Sequence, residues 1–267
     1  MELEKEEFRR FLRGNKKLAT STTKVLIGCL PKDCFEWTEI KGKEFYFFQI
    51  DREDTTSTYK NNLHYAVKYF FGWKGWEFTY RKPKVDKARR KPVELEDIWK
   101  LFDVIDSKRD LALIMLHLYT GARPSEILNA KREDLDLDKG ELQIKNTKAY
   151  IDRCVPVNKK ALMHVRRYLS GRRDNDPHLF YSRESAKLTG SGYRHLLEKY
   201  CKKAGIKRIT PYQMRHTFGT EWVAQGNGNL YVLKNILGHS NIATTENYIK
   251  FNMKMVKNSY EKSCPEF

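Results

Sequence analysis

The sequence predicts a mainly α-helical protein with a small antiparallel sheet, divided into two domains. Three observations predict it. Apolar residues recur at helical spacing through most of the chain. Two short alternating stretches, Glu141–Lys145 and Ile151–Val157, flank Asn146–Tyr150 as strands flank a hairpin turn. A basic, proline-bearing stretch, Arg81–Lys91, interrupts the pattern; its like charges repel one another, so it reads as a linker rather than a packed element. The length of 267 residues suits one large domain or two ordinary ones, and is enough to bury a core without disulfide or metal staples. The expected division is an N-terminal helical domain over residues 1–80, a linker over 81–92 and a second domain over 93–267.

The elements follow in order. Residues 2–13 place Leu3, Phe8, Phe11 and Leu12 near one helical face, and Thr22–Leu30 is a second helix stopped by Pro31. Residues 35–50, rich in aromatics around Gly42, read as extended chain or an irregular turn. Thr55–Phe71 is a helix, and the cluster Tyr69, Phe70, Phe71, Trp73 and Trp76 is expected in the core rather than as a base-stacking platform. Beyond Pro92, helices are expected over Glu94–Asp106, Arg109–Tyr119 and Ser125–Asn129, the last restarted by the Gly121 and Pro124 turn. The strand pair, a helix over Lys159–Leu169 and a short apolar piece at His178–Tyr181 come next. Further helices are expected over Gly192–Ala204, Tyr212–Gln225, Leu230–Leu237 and Ile242–Phe251, with room for one more in Asn252–Phe267. There is no internal repeat and no low-complexity tract.

Charge gives the first pointer to function. Lys and Arg total 51 against 34 Asp and Glu, a net charge of +17. A surplus of that size attracts a polyanion, and nucleic acid is the usual one. No apolar run reaches the ~18–20 residues of a membrane span; the longest, Leu111–Leu116, is followed by His117. The acidic start, Met1-Glu-Leu-Glu-Lys-Glu-Glu, lacks signal-peptide character. A soluble cytoplasmic protein, nucleoid-associated when bound to DNA, is therefore expected. The five cysteines, Cys29, Cys34, Cys154, Cys201 and Cys264, are scattered without zinc-site spacing and read as reduced thiols.

No phosphate-cradling Gly-x-x-x-x-Gly-Lys-Ser/Thr is present, and no acidic cluster of the kind that holds two metal ions. No metal or cofactor is expected. Phosphate charge must then be met by Arg, Lys and His, and a nucleophile supplied by a side chain. The chain offers such a set. Thr120-Gly-Ala-Arg-Pro-Ser-Glu-Ile127 puts Arg123 in a turn at a helix start; Asn146-Thr-Lys148 lies in the hairpin turn. Thr210-Pro-Tyr-Gln-Met-Arg-His-Thr-Phe-Gly-Thr220 carries Arg215 and His216 in the first turns of a helix. Leu237-Gly-His-Ser-Asn-Ile-Ala-Thr-Thr-Glu-Asn-Tyr248 ends in a tyrosine nine residues after His239. Each piece alone is weak; together and in this order they are specific.

These boxes resemble those of the tyrosine recombinases, the phage-integrase family of site-specific DNA recombinases. The resemblance covers about residues 93–250, and the helical N-terminal region with its basic linker fits the family's two-domain DNA clamp without a motif of its own. One position departs: the family usually has His three residues before the second arginine, where this chain has Tyr212. That Tyr-x-x-Arg form is similar to a variant seen in integrases of archaeal plasmids and viruses.

The resemblance implies cutting and rejoining of double-stranded DNA through a covalent 3′-phosphotyrosine, without metal or ATP, in a tetrameric synapse of protomers that are monomers or dimers when free. It implies Arg123 and Arg215 on the non-bridging oxygens, which agrees with the bidentate, always-charged guanidinium, with His239 as a further donor and Tyr248 as nucleophile. It implies Lys148 as general acid to the leaving 5′-oxygen, Lys145 being the weaker substitute, and Glu126 as a carboxylate orienting the first arginine. Nearby arginines are expected to favour the Tyr248 phenolate. Tyr212 is expected to position rather than titrate, a phenol being a poor base near pH 7; His216 is the alternative source of an imidazole. His117 and His164 are expected to be structural. Tyr150 and Tyr260 lack the Gly-His…Tyr context of a nucleophile. Arg81, Lys82, Lys84, Lys87, Arg89, Arg90 and Lys91 are expected along a phosphate backbone. Two other functions stay open: a type IB topoisomerase, against which the Leu-Gly-His-Ser box and short chain argue, and a DNA-binding protein of the same fold that no longer cuts.

Overall fold

The structure, a computed structural model, describes residues 2–84, 91–145, 152–182, 187–225, 229–239, 241–246 and 248. The chain divides into two compact units, Met1–Arg89 and Arg90–Phe267.

The first unit consists of four helices, α1 (Glu2–Gly14), α2 (Thr20–Gly28), α3 (Glu39–Asp51) and α4 (Ser57–Lys74), with a 3-10 turn at Lys32–Glu36. Its core is aromatic. Phe8, Phe70 and Phe71 are fully buried, and the Phe8 and Phe70 rings meet edge to face at 5.4 Å between centroids. Trp73 and Trp76 pack against this core, as expected of that cluster. Residues 39–51 differ from the extended or irregular chain expected: they form α3, started by the Thr38 side chain, which accepts from Lys41 N–H. The helical pattern is masked because Tyr46 is buried while Ile40, Phe47 and Phe48 face solvent. Gly42 is required by packing: a Cβ there would lie 2.8 Å from the Phe71 ring.

The second unit is built around α6 (Lys108–Thr120). Ala112 through Leu116 are all buried, which accounts for the longest apolar run as core. Around it lie α5 (Leu95–Asp103), α7 (Pro124–Asn129), α8 (Lys159–Leu169), α9 (Gly190–Lys203), α10 (Pro211–Ala224), α11 (Leu230–Leu237) and α12 (Ile242–Glu246). The sheet has three antiparallel strands in the order β1 (Leu135–Asp136), β2 (Glu141–Ile144), β3 (Arg153–Pro156). Leu142 pairs with Val155, and both are fully buried, so this register puts one face of the sheet on the core. The added strand, β1, is two residues long, too short to show alternation.

The helix starts that matter to the site are locally encoded. Pro211 opens α10, where Gln213 N–H donates to Thr210 Oγ1 and Thr210 N–H to Gln213 Oε1, a reciprocal cap. Val93 N–H donates to Thr217 Oγ1 at 2.8 Å, tying the beginning of the unit to α10. Tyr248, expected inside a helix running to Phe251, sits instead in a turn beyond α12, its N–H on Thr245 O.

Candidate catalytic site

The site gathers around the C-terminal end of α11. Gly238 ends that helix with φ +63°, and His239 N–H reaches back to Lys234 O in a Schellman-type closure. A helix end leaves its last carbonyls without partners. Here three arginines supply them on three consecutive residues. Arg153 Nε donates to Ile236 O at 2.8 Å, Arg215 Nη2 to Leu237 O at 2.8 Å, and Arg123 Nη2 to Gly238 O at 2.7 Å. The negative end of the helix dipole faces these cations.

Each arginine comes from a different part of the chain. Arg123 precedes α7, where its N–H donates to Glu126 Oε2 at 2.6 Å and its Nη1 to Glu126 Oε1 at 2.9 Å. Arg215 lies in α10 and is buried; its second anchor is Gly121 O at 3.0 Å. Gly121 has φ +58°, and a Cβ there would sit 2.3 Å from the Phe218 ring, so only glycine can present that carbonyl. Arg153 opens β3 and grips Glu126 with both Nη atoms, at 3.0 and 2.7 Å. His117 supports the same turn: it is fully buried, with Nε2 3.1 Å from Ala122 O and Nδ1 2.8 Å from Tyr193 OH. A carbonyl can only accept, so Nε2 carries the proton and Nδ1 accepts from the phenol.

Burial and mutual repulsion set the electrostatics. Burial, then the neighbouring Arg123 charge, lowers Arg215 to about 10. Burial, then Arg215, Arg123 and Arg153, lowers His239 to about 4, so its imidazole is neutral at pH 7. Burial alone would raise the Glu126 carboxyl, but Arg153, the Arg123 N–H and the Arg123 guanidinium hold it below its ordinary value.

Tyr248 is 8% exposed and lies in the site of its own chain. Its ring stacks on His239 at 6.3 Å between centroids and faces His216 at 5.2 Å. The third wall is Gly219 of α10: a Cβ there would fall 2.6 Å from Tyr248 Cζ. His239 Nδ1 is 2.9 Å from Oγ1 of the buried Thr245. Contrary to the expected phenolate, burial raises the Tyr248 hydroxyl above its ordinary value, and the Arg215 charge offsets this only in part.

The structure thus brings together Arg123, Glu126, Arg215, His216, His239 and Tyr248. Tyr212 sits three residues before Arg215 on α10 and is 51% exposed. Lys148, Lys87, Arg89 and Arg90 lie outside the described residues, as does the tail over residues 252–267. Arg81, Lys82, Lys84 and Lys91 are exposed, with Lys82 Nζ 5.3 Å over the Tyr65 ring. Lys145, the weaker substitute for Lys148, is tied to Asp134 at 2.6 Å. The residue that sequence reasoning missed is Arg153. Among the described residues, no cluster of three His, Cys, Asp or Glu side chains could hold a metal ion, and no helix is long and apolar enough to cross a membrane. A cavity of about 490 Å³ in the second unit, lined by Trp99, Phe102, Phe218 and Trp222 among others, contains none of the site side chains.

The chain belongs to the phage integrase family, whose model matches residues 91–255. It is a site-specific tyrosine recombinase, of a family whose members cut and rejoin DNA through a covalent phosphotyrosine. It is 33% identical over 204 residues to the tyrosine recombinase XerA of Pyrococcus horikoshii, covering 74% of this chain and 71% of that protein. The corresponding protein of Thermococcus onnurineus is 30% identical over 235 residues, 84% of this chain and 83% of the other. Among solved structures, the Tn1549 transposon integrase in complex with circular intermediate DNA matches with a TM-score of 0.72 at 19% identity, over 97% of this chain and 98% of that one. A crystal structure of XerA recombinase matches with a TM-score of 0.60 at 22% identity, over 98% of both chains. These two likenesses speak for the shared fold.

Proposed function

We propose that Arg123, Lys148, Tyr212, Arg215, His239 and Tyr248 carry out strand cleavage and rejoining in double-stranded DNA. The observation that carries this reading is the placement of Tyr248 against Gly219, stacked on His239, at a helix end that already holds Arg123 and Arg215. Each guanidinium has five N–H donors and spends only part of them on carbonyls and Glu126, which leaves donors for the non-bridging oxygens of a phosphodiester. A preorganised donor of this kind is worth ~3–4 kcal/mol in the transition state of other enzymes. If Thr245 O–H donates to His239 Nδ1, Nε2–H is a neutral donor to the same phosphate.

The Tyr248 oxygen attacks phosphorus and the bond to the 5′-oxygen breaks, with Lys148 giving that oxygen its proton. The phenol gives its proton to solvent as its oxygen bonds to phosphorus, and the Arg215 charge beside it favours that loss against burial. The energy of the broken bond stays in the 3′-phosphotyrosine, so rejoining needs no ATP, and the charge is handled by side chains without a metal. Tyr248 attacks in cis, from the chain that holds the phosphate. Tyr212 positions the DNA as a hydrogen-bond donor, Glu126 sets Arg123, and His216 supports the phenol ring.

In the same reading residues 1–80 form a DNA-binding domain, residues 81–92 lie along the phosphate backbone, and four protomers form the synapse on two DNA sites, their tails over 252–267 docking on neighbours. The protein works in the cytoplasm, on the nucleoid. The test is incubation with negatively supercoiled plasmid in EDTA, quenched with SDS, with Tyr248→Phe alongside. Relaxation with protein-linked nicks, absent in the variant, is expected. Cleavage that requires magnesium and survives Tyr248→Phe would overturn the reading.

A further inference from the structure

Arg153 differs from the other two arginines of the site in how its donors are spent. Its fork is closed on Glu126, two parallel bonds at 3.0 and 2.7 Å, and its Nε is closed on Ile236 O at 2.8 Å. Its side chain is 9% exposed and that of Glu126 is 8% exposed. Three of its five N–H donors are thus closed on protein acceptors, against two guanidinium bonds each for Arg123 and Arg215, and little of the side chain is open to a ligand. What it touches is the machinery: Glu126, which holds Arg123 through two bonds, and the carbonyl that immediately precedes the Leu237-Gly238-His239 turn. That turn is seated on it, since a Cβ at Gly238 would come 2.7 Å from Arg153 Nη1. Arg153 also opens β3, where it pairs with Ile144 of β2.

We propose that Arg153 is a positioning residue for strand cleavage, fixing Arg123 through Glu126 and fixing the His239 turn through Ile236 O, while never touching DNA. The proposal deepens the assignment of the site above and rests on it. A buried carboxylate that loses one of two cationic partners takes what remains. Without Arg153, Glu126 draws the Arg123 guanidinium toward itself and away from the phosphate, and the His239 turn loses the bond that fixes its height. Lysine cannot substitute fully, because it is a point charge without the planar fork.

The experiment compares Arg153→Lys and Arg153→Met with wild type, at temperatures where circular dichroism shows each folded. It reads the single-turnover rate of SDS-trapped adduct on supercoiled plasmid and, separately, plasmid affinity. Displacement of a catalytic group by about 1 Å costs on the order of 10²-fold in rate. That is the loss expected for Arg153→Met at saturating DNA, with a smaller loss for Arg153→Lys and affinity within three-fold of wild type. A folded Arg153→Met with an unchanged rate, or a loss confined to affinity, overturns the proposal. A second readout needs no cleavage: the Arg123 Nε–H and His239 ring signals in labelled protein should shift in both variants, and unshifted signals overturn it as well. Absence of any adduct in wild type would instead count against the site assignment, leaving the labelled signals to judge Arg153.

Discussion

Gly219→Ala separates the chemistry of the site from its stability. The backbone there is ordinary right-handed helix within α10, so alanine brings no strain, and by helix propensity it is favoured by ~1 kcal/mol over glycine. Its Cβ, however, would lie 2.6 Å from Tyr248 Cζ and 2.7 Å from Cε1. To reach ordinary contact at 3.4 Å the ring must retreat by about 0.8 Å, since the new atom is fixed to a helix that cannot yield. Tyr248 lies in a turn beyond α12, so the ring is the part that moves. A shift of that size in a nucleophile costs on the order of 10²-fold in rate. The expected result is adduct formation down about 100-fold on supercoiled plasmid, DNA affinity unchanged, and a melting temperature equal to or above wild type. Cleavage at the wild-type rate would show that the phenol does not react from its seat on Gly219. A loss of several kcal/mol in stability would show that the ring cannot leave it, and the argument from displacement would fail.

Further outcomes follow from the same geometry. Tyr212→Phe should lower adduct formation modestly and Tyr212→His should be tolerated, as expected of a half-exposed positioning group; a Tyr212→His enzyme as inactive as Tyr248→Phe would refute this. His117 is buried neutral, lowered to about 4 chiefly by burial, against an ordinary value of ~6.5. A histidine lowered on folding contributes stability that is present above pH 6.5 and lost as pH falls toward 4, here about 3 kcal/mol. Urea unfolding between pH 7 and pH 4.5 should show that slope together with the one His239 adds, and His117→Gln should reduce it without abolishing it; an unchanged slope would refute the assignment. Deleting residues 252–267 should weaken assembly on DNA more than binding of one protomer to one site, measured by gel shift; equal effects would remove the role given to the tail.

The site was legible where its parts are local and opaque where they are not. Arg123, Arg215 and His239 each sit in a short run whose glycine, proline and capping residues announce a turn at a helix end, and Gly121, Pro124 and Pro211 do that work in the structure. Arg153 carries no such mark. Its partners Glu126 and Ile236 lie 27 and 83 residues away, so its role exists only once β3 and α11 are brought together. The α3 segment was hidden for a different reason: exposed Ile40, Phe47 and Phe48 alongside buried Tyr46 erase the apolar stripe that marks an amphipathic helix. Tyr248 was legible as a residue but not in its state, because the sequence shows the arginines near it and not the burial that outweighs them.

The crowding of Arg123 and Arg215 at one helix end has a consequence for the protein at rest. Burial and the facing guanidinium together make the Arg215 charge costly, which is why it loses its proton more readily than a free arginine. The two guanidinium groups are thus under electrostatic tension, held in place by the helix carbonyls. In the proposed reading an arriving phosphate discharges that tension as well as making new bonds, and part of the grip on the scissile position would come from relief inside the protein. Simple oxyanions such as sulfate should raise the melting temperature of wild type more than that of Arg123→Ala, in which the repulsion is already gone.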